Sequence, residues 1–587
     1  MPRPEGRGSA WFTGVPRPCR SHDRPTEKPA ATRIIPREAR GPHPLHEAAR
    51  TSCASLRAAR TEEDHLDIAA PPALPPSLPA RARLTDRLRT GADAGNLAAV
   101  VTSLVAALVY VRTLLHGVSV GDWAESQMIP SRLGILHPTG YPLYTLLGKL
   151  FSMIPIGSVA YRADLLSAVA AAGVVGVTVL IAVRLGVRPV IAAGAALCLA
   201  FTGTLWEEAT FSEMNGLHVL FVALLVHRAL VWRAERRQRD LVIGALLAGL
   251  TVSNHGLAIT VVPFVILFVL LDARREIASS PVMLLKAAGA FVLGLLPYLY
   301  LPLRALAGPR EIYAPFLTWD GFFAYVSGAQ FRGDMHFLSG DSVRVAWTAM
   351  PQVIDHLVAT SNVAFVVIGV VGLALLLVRD RRFGSLLVVL AVINVYIYAN
   401  YLGDLSHYLL TTWLILAVGL AIAADRAVSL AARATGSPGS AIQYGIIALP
   451  LLLLASNWTA HDQSTNQDGE RLTAEIFAAL PPNAVLVTYW DVLTSLSYKH
   501  CIEGVRPDVS LRAYDEAALV TCDPVERPLT EVARRRPVFA LMVFDGSIAS
   551  ITHLMPVRVG TIRLPWGQRY PELDRTLYRL LPNDRVP

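Results

Sequence analysis

The 587-residue chain predicts an α-helical polytopic membrane protein with a small C-terminal α/β domain on the extracytoplasmic side. Three observations predict it. Hydrophobic residues make up 53% and charged residues only 17% of the chain, with mean hydropathy +0.43, against about 25% charged residues in soluble domains. Several apolar runs reach the roughly 20 residues that a bilayer crossing needs. Short basic loops recur between them, as they do on the cytoplasmic side of membrane proteins.

The basic residues behind the net charge of +8 sit largely in the N-terminal stretch and in those loops. Membrane orientation accounts for them. The partner is therefore the lipid bilayer, and no nucleic-acid partner is expected. Residues 1–95 are rich in Pro, Arg, Ala and Ser and show no apolar period. Such a composition buries too little surface to offset the entropy of ordering. It reads as a disordered cytoplasmic tail or as sequence upstream of the true start, and no signal-peptide core is visible in it.

Residues 96–457 hold about eleven expected transmembrane helices, near 97–116, 162–183, 188–204, 214–232, 240–254, 257–271, 283–303, 361–378, 383–401, 407–424 and 441–457. Arg81, Arg83, Arg87 and Arg89 precede the first. RLGVR (184–188), RAERRQR (233–239), DARRE (272–276), RDRR (379–382), Arg426 and Arg433 then fall on one side. An N-terminus inside and eleven crossings place all of them in the cytoplasm. The run 241–271 is flanked by basic loops at both ends, so it divides into two short helices hinged at Asn254-His255-Gly256, which puts His255 near the outer surface. The apolar stretch 140–156 is too short to cross and reads as interfacial or re-entrant.

Residues 458–587 follow the last span and fall outside. NAVLVTYWD (483–491) and RPVFALMVFD (536–545) read as buried strands with polar ends, and the helical stretch and GVRPDVSLR (504–512) after the first suggest an α/β fold. No glycine-rich nucleotide fingerprint is present. Cys501 and Cys522 share this region. They either pair outside the cell or remain free and buried.

The chemistry concentrates at span ends on the extracytoplasmic side. Asp122 and Glu125 follow the first span, three residues apart, on one side of a helical turn. They can cap the helix or serve as base and partner. His137-Pro138-Thr139-Gly140-Tyr141-Pro142 is a rigid turn, its prolines restricting the residues before them and Gly140 admitting an unusual conformation. It either closes a cavity or merely returns the chain to the membrane. Glu213 starts the span at 214, where a helix-dipole contact is the alternative to a binding role. Arg304 and Arg332 run against the positive-inside bias, which snorkelling to headgroups can also explain. His255 on its hinge, and Asp404 and His407 in a tight turn, complete the polar set; a surface histidine and a helix cap are the plainer readings.

The blocks GDWAE, LGILHPTGYPLYTLLGKLFSMIPIGSVAYRADLLSA, WEEATFSEMNGL, GLTVSNHGLA, LPYLYLPLRA, FFAYVSGAQFRG, GDLSHYLL and NAVLVTYWD with GVRPDV cover most of residues 97–515. They resemble a bacterial membrane family known as a domain of unknown function, related to the animal transmembrane O-mannosyltransferase of plexin-type domains. Members of that family more often carry Asp-Ser-Gly-Glu where this chain has Asp122-Trp123-Ala124-Glu125, and His-Pro-Pro-Gly where it has Thr139. The resemblance implies a GT-C-like fold and an inverting glycosyltransferase of the bacterial plasma membrane. It implies a polyprenyl-phosphate-linked sugar as donor, with mannose the suggested sugar, and a protein or glycan acceptor. An acidic residue of the first extracytoplasmic loop then acts as base or metal ligand. That role maps onto Asp122, with Glu125 second. His137, Tyr141, Glu213, His255, Arg304, Arg332, Asp404 and His407 become substrate-binding candidates, the arginines because a guanidinium grips phosphate with two hydrogen bonds. No cofactor is required by the sequence, and the carboxylates leave room for a divalent metal.

A polytopic transporter or lipid flippase needs polar groups at mid-membrane on broken helices of related halves, and no inverted repeat is present. A non-catalytic envelope assembly protein would have no need of both carboxylates. The expected faces are directly testable: a cysteine probe at Asp545 is labelled from outside intact cells and one at Arg236 is not, and the reverse pattern overturns the orientation.

Overall fold

The computed structural model describes residues 80–582 except 310, 314–315, 402–405, 436–439, 515–518, 524–527, 543–552 and 565–572. The tail expected over 1–95 lies mostly outside the described residues, and helix α1 (Ala80–Arg112) already begins within it. The membrane module continues through α2 (Gly121–Arg132), α3 (Pro142–Ser152), α4 (Val159–Arg184), α5 (Pro189–Ala200), α6 (Gly203–Thr210), α7 (Met214–Glu235), α8 (Gln238–Asn254) and α9 (Val262–Asp272). Further helices at Pro281–Leu295, Ser342–Thr360, Val363–Arg379, Arg381–Ala399, Leu410–Thr435 and Ser440–His461 follow.

Each expected span coincides with a helix, but length limits how many can cross. Six described helices are long and apolar enough, or eight when the bent pairs α5–α6 (69°) and Ser342–Arg379 (109°) each count as one span. Among the described residues six to eight candidate spans therefore stand against the expected eleven. Apolar runs continue through backbone breaks that hydropathy alone does not register. The bends within Pro189–Thr210 and Ser342–Arg379 are such breaks. At the expected hinge, α8 ends at Asn254, a 3-10 turn runs over Gly256–Thr260, and α9 follows. Helix α3 has 11 residues, about 16 Å at 1.5 Å per residue, half of what a crossing needs. Its first residue is Pro142, whose missing N–H is no loss at that position.

Transmembrane helices approach closely where residues are small. At the crossing of Val363–Arg379 with Leu410–Thr435 the backbones touch, and a Cβ on Gly372 would stand 1.8 Å from the Gly419 carbonyl oxygen.

The C-terminal domain is built on a five-stranded mixed sheet. Its strands are β2 (Val485–Thr488), β3 (Ser510–Ala513), β5 (Val538–Met542), β6 (Met555–Leu564) and β7 (Leu573–Leu581), in the order β3-β2-β5-β7-β6. The first three are parallel, and β7 runs antiparallel to β5 and β6. Strands β2 and β5 are buried along their whole length, as central parallel strands covered on both faces are. The helix Trp490–Cys501 links β2 to β3, and Cys501 and Cys522 form a disulfide.

A second, two-stranded pairing joins the domain to the membrane module: β1 (Glu311–Ile312) lies antiparallel to β4 (Leu519–Val520). Trp490, Tyr498 and Glu470 of the domain also reach the loops around α2 and α4. Tyr498 Oη accepts from the Ala160 amide at 2.8 Å, and Glu470 Oε1 from the Val118 amide at 3.1 Å.

Gly372→Ala forces two backbones apart and should lower stability by about 1–3 kcal/mol, the usual cost of overpacking. Gly289→Ala, where nothing lies within 4 Å of the added carbon, should be neutral or slightly stabilising. Thermal unfolding of both variants in detergent checks the contrast.

Candidate active site

Helix α2 carries Asp122 in its first turn, but its N-cap is Val120 and no side chain caps it. The two carboxylates do other work. Asp122 is exposed, and its Oδ1 accepts from Trp490 Nε1 at 2.6 Å. Glu125 is fully buried, and both its oxygens accept from one residue. The His137 amide donates to Oε1 at 2.8 Å, and the His137 ring Nδ1 lies 2.5 Å from Oε2.

The segment after α2 is held open along its backbone. Leu133 is left-handed (φ 56°). A Cβ on Gly134 would stand 2.2 Å from the Glu311 carbonyl oxygen, so only glycine admits β1 so close. The Ile135 amide donates to Glu311 O at 2.9 Å, and the Tyr313 amide to Ile135 O at 3.1 Å. Three side chains take the carbonyls of this segment: Arg304 Nε donates to Leu133 O, Tyr300 Oη to Gly134 O and Tyr325 Oη to Leu136 O. The turn ends at Tyr141, left-handed at φ 39°, a costly conformation for a bulky residue that its burial enforces. Tyr141 Oη lies 3.4 Å from His137 Nε2.

Further groups close in from other helices. Glu213, the N-cap of α7, is buried, accepts from Asn215 Nδ2 at 3.3 Å, and feels the charges of Asp122 and His137. His255 packs its ring 5.1 Å from Tyr141 and 5.2 Å from His218. It is buried, so the surface-histidine reading does not hold: the 254–256 hinge folds against the turn, and a Cβ on Gly256 would stand 3.2 Å from Thr139. Tyr408 lies within electrostatic reach of Glu213 and Asp122, while its neighbour His407 faces Glu208 at 3.8 Å. Asp404 lies outside the described residues.

Asp122, Glu125, His137, Tyr141, Glu213 and His255 thus converge. Arg304 does not join them: it binds the C-terminal end of α2, 11 residues from Asp122, about 16 Å along the helix. Arg332 is exposed and lines an open depression of 520 Å³ with Phe323 and Ser327. That depression borders the turn, since a Cβ on Gly328 would lie 3.8 Å from Thr139.

Protonation follows from these surroundings. Burial raises the Glu125 carboxyl, opposed by the His137 charge beside it. For His137, burial works downward, but the Glu125 and Asp122 carboxylates outweigh it and hold the imidazole up at about 9. Burial, and then the Asp122 charge, push Glu213 upward. One ligand atom from each of Asp122, Glu125 and His137 lies within 4.8 Å of the others, so these are the residues that could hold a divalent cation. His137 Nδ1 and Glu125 Oε2 stand 2.5 Å apart within this cluster.

Composition around Asp122 and Glu125 pointed to this region, but not to Trp490. This residue stands 368 positions downstream, and its only signal was its place inside a block shared with the resembling family. Tyr408 likewise had only its place in the shared block GDLSHYLL, and Tyr313, which packs edge-on against Trp490 at 4.7 Å, carried no distinguishing signal. Gln127 binds Asp164 at 3.0 and 3.1 Å and fixes the Ser119 amide at 2.9 Å. It supports the site from inside.

The His137 charge predicts a pH dependence. Its native pKa lies above the ordinary 6.5, so the native state binds more protons than the unfolded chain between about 6.5 and 9, and this contribution is lost as pH rises through that window. Melting temperature should fall from pH 6.5 to 9.5 in the wild type and fall less in His137→Gln.

Comparison with known proteins agrees with this architecture. Residues 122–278 match the family described as the protein O-mannosyl-transferase TMEM260 N-terminal domain. The protein O-mannosyl-transferase TMEM260 of Mus musculus is 28% identical over 450 residues, 72% of this chain and 63% of its own. The Dictyostelium discoideum protein of that name is 22% identical over 456 residues, 69% of this chain and 55% of its own. The chain therefore spans between about half and two thirds of the length of these relatives. ArnT from Cupriavidus metallidurans superimposes with a TM-score of 0.52 at 13% identity, over 82% of this chain and 97% of ArnT. Its undecaprenyl phosphate complex gives 0.50, also at 13% identity, over 83% and 99%. The chain is a helical polytopic membrane protein whose GT-C-like fold resembles that of ArnT, and its site-bearing segment resembles the TMEM260 O-mannosyl-transferases.

Proposed function

We propose that the chain is an inverting GT-C-type glycosyltransferase of the plasma membrane. It moves a sugar, mannose by analogy with its named relatives, from a polyprenyl-phosphate donor to a hydroxyl of a protein or glycan on the extracytoplasmic face. The observation that carries this reading is the division of labour between two carboxylates one turn apart. Glu125 is spent on His137, whereas Asp122 stays exposed, fixed by one indole N–H and with acceptor capacity remaining.

In this reading Asp122 takes the proton of the acceptor hydroxyl as its oxygen attacks the anomeric carbon. The bond from that carbon to the phosphate oxygen breaks, and the polyprenyl phosphate leaves with the electron pair. A single displacement inverts the anomeric centre. The leaving phosphate needs fixed positive charge. Protonated His137 supplies it beside the reacting groups, and Arg332 supplies it from the bordering depression. Glu213, kept protonated, adds no repulsion and can donate a hydrogen bond. Arg304 acts by holding the α2 end and not by gripping phosphate.

Two observations support the donor class and the face. The structurally similar ArnT is described as binding undecaprenyl phosphate. The disulfide between Cys501 and Cys522 belongs to oxidising compartments, as an extracytoplasmic domain requires.

Asparagine at position 122 keeps the Trp490 hydrogen bond but accepts no proton at neutral pH. Asp122→Asn should therefore lose at least about a hundredfold in transfer rate with an unchanged melting temperature. Trp490→Phe should lose about tenfold in kcat, the scale of one misdirected hydrogen bond. The assay uses purified full-length protein, a polyprenyl-phosphate mannose and a serine-containing peptide. Normal turnover by Asp122→Asn removes Asp122 as the base.

A further inference from the structure

At the opposite end of α7 from Glu213 the membrane module contains a second cavity, of about 310 Å³, between α7, α8, α9 and the helix Pro281–Leu295. Its walls are aliphatic and aromatic, with Leu225, Ala248, Val265 and Phe291 among them. Its outer wall includes Ile266, Leu284 and Val292, which are exposed where the bilayer lies.

Polar groups interrupt this apolar lining at one end only. Trp232 is 3% exposed and Asp240 2% exposed, and both line the cavity. The indole Nε1, Asp240 Oδ2 and the Nε of Arg228, also in the lining, have no hydrogen-bond partner. The other Asp240 oxygen accepts from Arg228 Nη1 at 2.8 Å. Two unpaired donors and one unpaired acceptor beside a hydrocarbon-lined space call for an amphiphile.

We propose that this cavity binds one anionic glycerophospholipid, an acyl chain filling the apolar part, its ester carbonyls accepting from Trp232 Nε1 and Arg228 Nε and a headgroup hydroxyl donating to Asp240 Oδ2. Depth and charge select this occupant. The cavity runs along α8 from Asp240 to Ala248, about 12 Å at 1.5 Å per residue, close to the ~15 Å of one leaflet. Beside its polar end, Arg239, Arg274 and Arg275 are exposed and pair with no carboxylate among the described residues. Basic residues at this level recruit anionic headgroups. The site is distinct from the candidate active centre, since Glu213 and Arg228 are 15 residues apart along α7, about 22 Å.

Full-length protein exchanged into mild detergent and titrated with phosphatidylglycerol or phosphatidylcholine, followed by native mass spectrometry, tests it. We expect one phosphatidylglycerol per chain, retained about tenfold more tightly than phosphatidylcholine. Ala288→Phe fills the cavity from its exposed wall and should lower binding more than about tenfold by displacing several methylenes. Leu284→Trp does the same and stands in should the first variant fail to purify. Trp232→Phe removes one donor and should weaken binding about three- to tenfold. Equal retention of the two lipids, unchanged binding by a folded cavity-filling variant, or displacement of phosphatidylglycerol by undecaprenyl phosphate would each overturn the proposal. None of these outcomes depends on glycosyl transfer, so the result stands apart from the assignment of the active centre.

Discussion

A fully buried carboxylate must be answered, and the answer Glu125 receives organises the site. Removing a charge from water costs several kcal/mol even after relaxation. Glu125 meets that cost with two donors from one residue, the amide and the ring of His137. Twelve residues separate the partners, and in between the chain must leave α2, run beside β1 and turn back. Leu133, Gly134, Ile135 and Leu136 take the conformations they do because this closure demands it. Each is then held by a partner from Tyr300, Arg304, β1 or Tyr325. Breaking such a buried pair by removing one partner typically costs about 3–5 kcal/mol, so the pair is a structural keystone of the site.

The same pair separates the roles of neighbouring acids. Groups of one chemical type diverge when their surroundings differ. Glu125 is committed, Glu213 is driven toward its neutral form by burial and by Asp122, and Asp122 alone faces solvent. His137 keeps its positive charge because two carboxylates flank it. An exposed carboxylate, a buried carboxyl pushed toward its neutral form and a charged histidine paired with Glu125 therefore coexist within one small volume.

Much of the fold was legible because it is local. The apolar runs, the Asn254-Gly256 hinge and the short helix at 142–152 follow from hydropathy, charge alternation and turn chemistry. Strands β2 and β5 follow from continuous apolar runs. The bends at 201–202 and 361–362 were not legible, because apolar composition continues across them. Strands β6 and β7 were missed because arginine interrupts them. The convergence of Asp122, Glu125 and His137 was legible as a neighbourhood. Its division of labour was not, since exposure and pairing arise only when distant elements pack. Arg304 illustrates the limit: its position at a span end suggested a phosphate ligand, and the structure gives it a backbone carbonyl instead. Cys501 and Cys522, undecided by sequence, are joined.

The hydrogen bond from Trp490 to Asp122 and the pairing of β1 with β4 have a consequence for biosynthesis. Asp122 is fixed by a residue 368 positions later in the chain, and the loop beside it is strapped to a strand later still. While the polypeptide is being made and inserted, the membrane helices can assemble, but the candidate site lacks its final wall. The surroundings of Asp122 are therefore complete only once the C-terminal domain has folded against the membrane module. A partly made or truncated chain lacks these contacts, however well its helices insert.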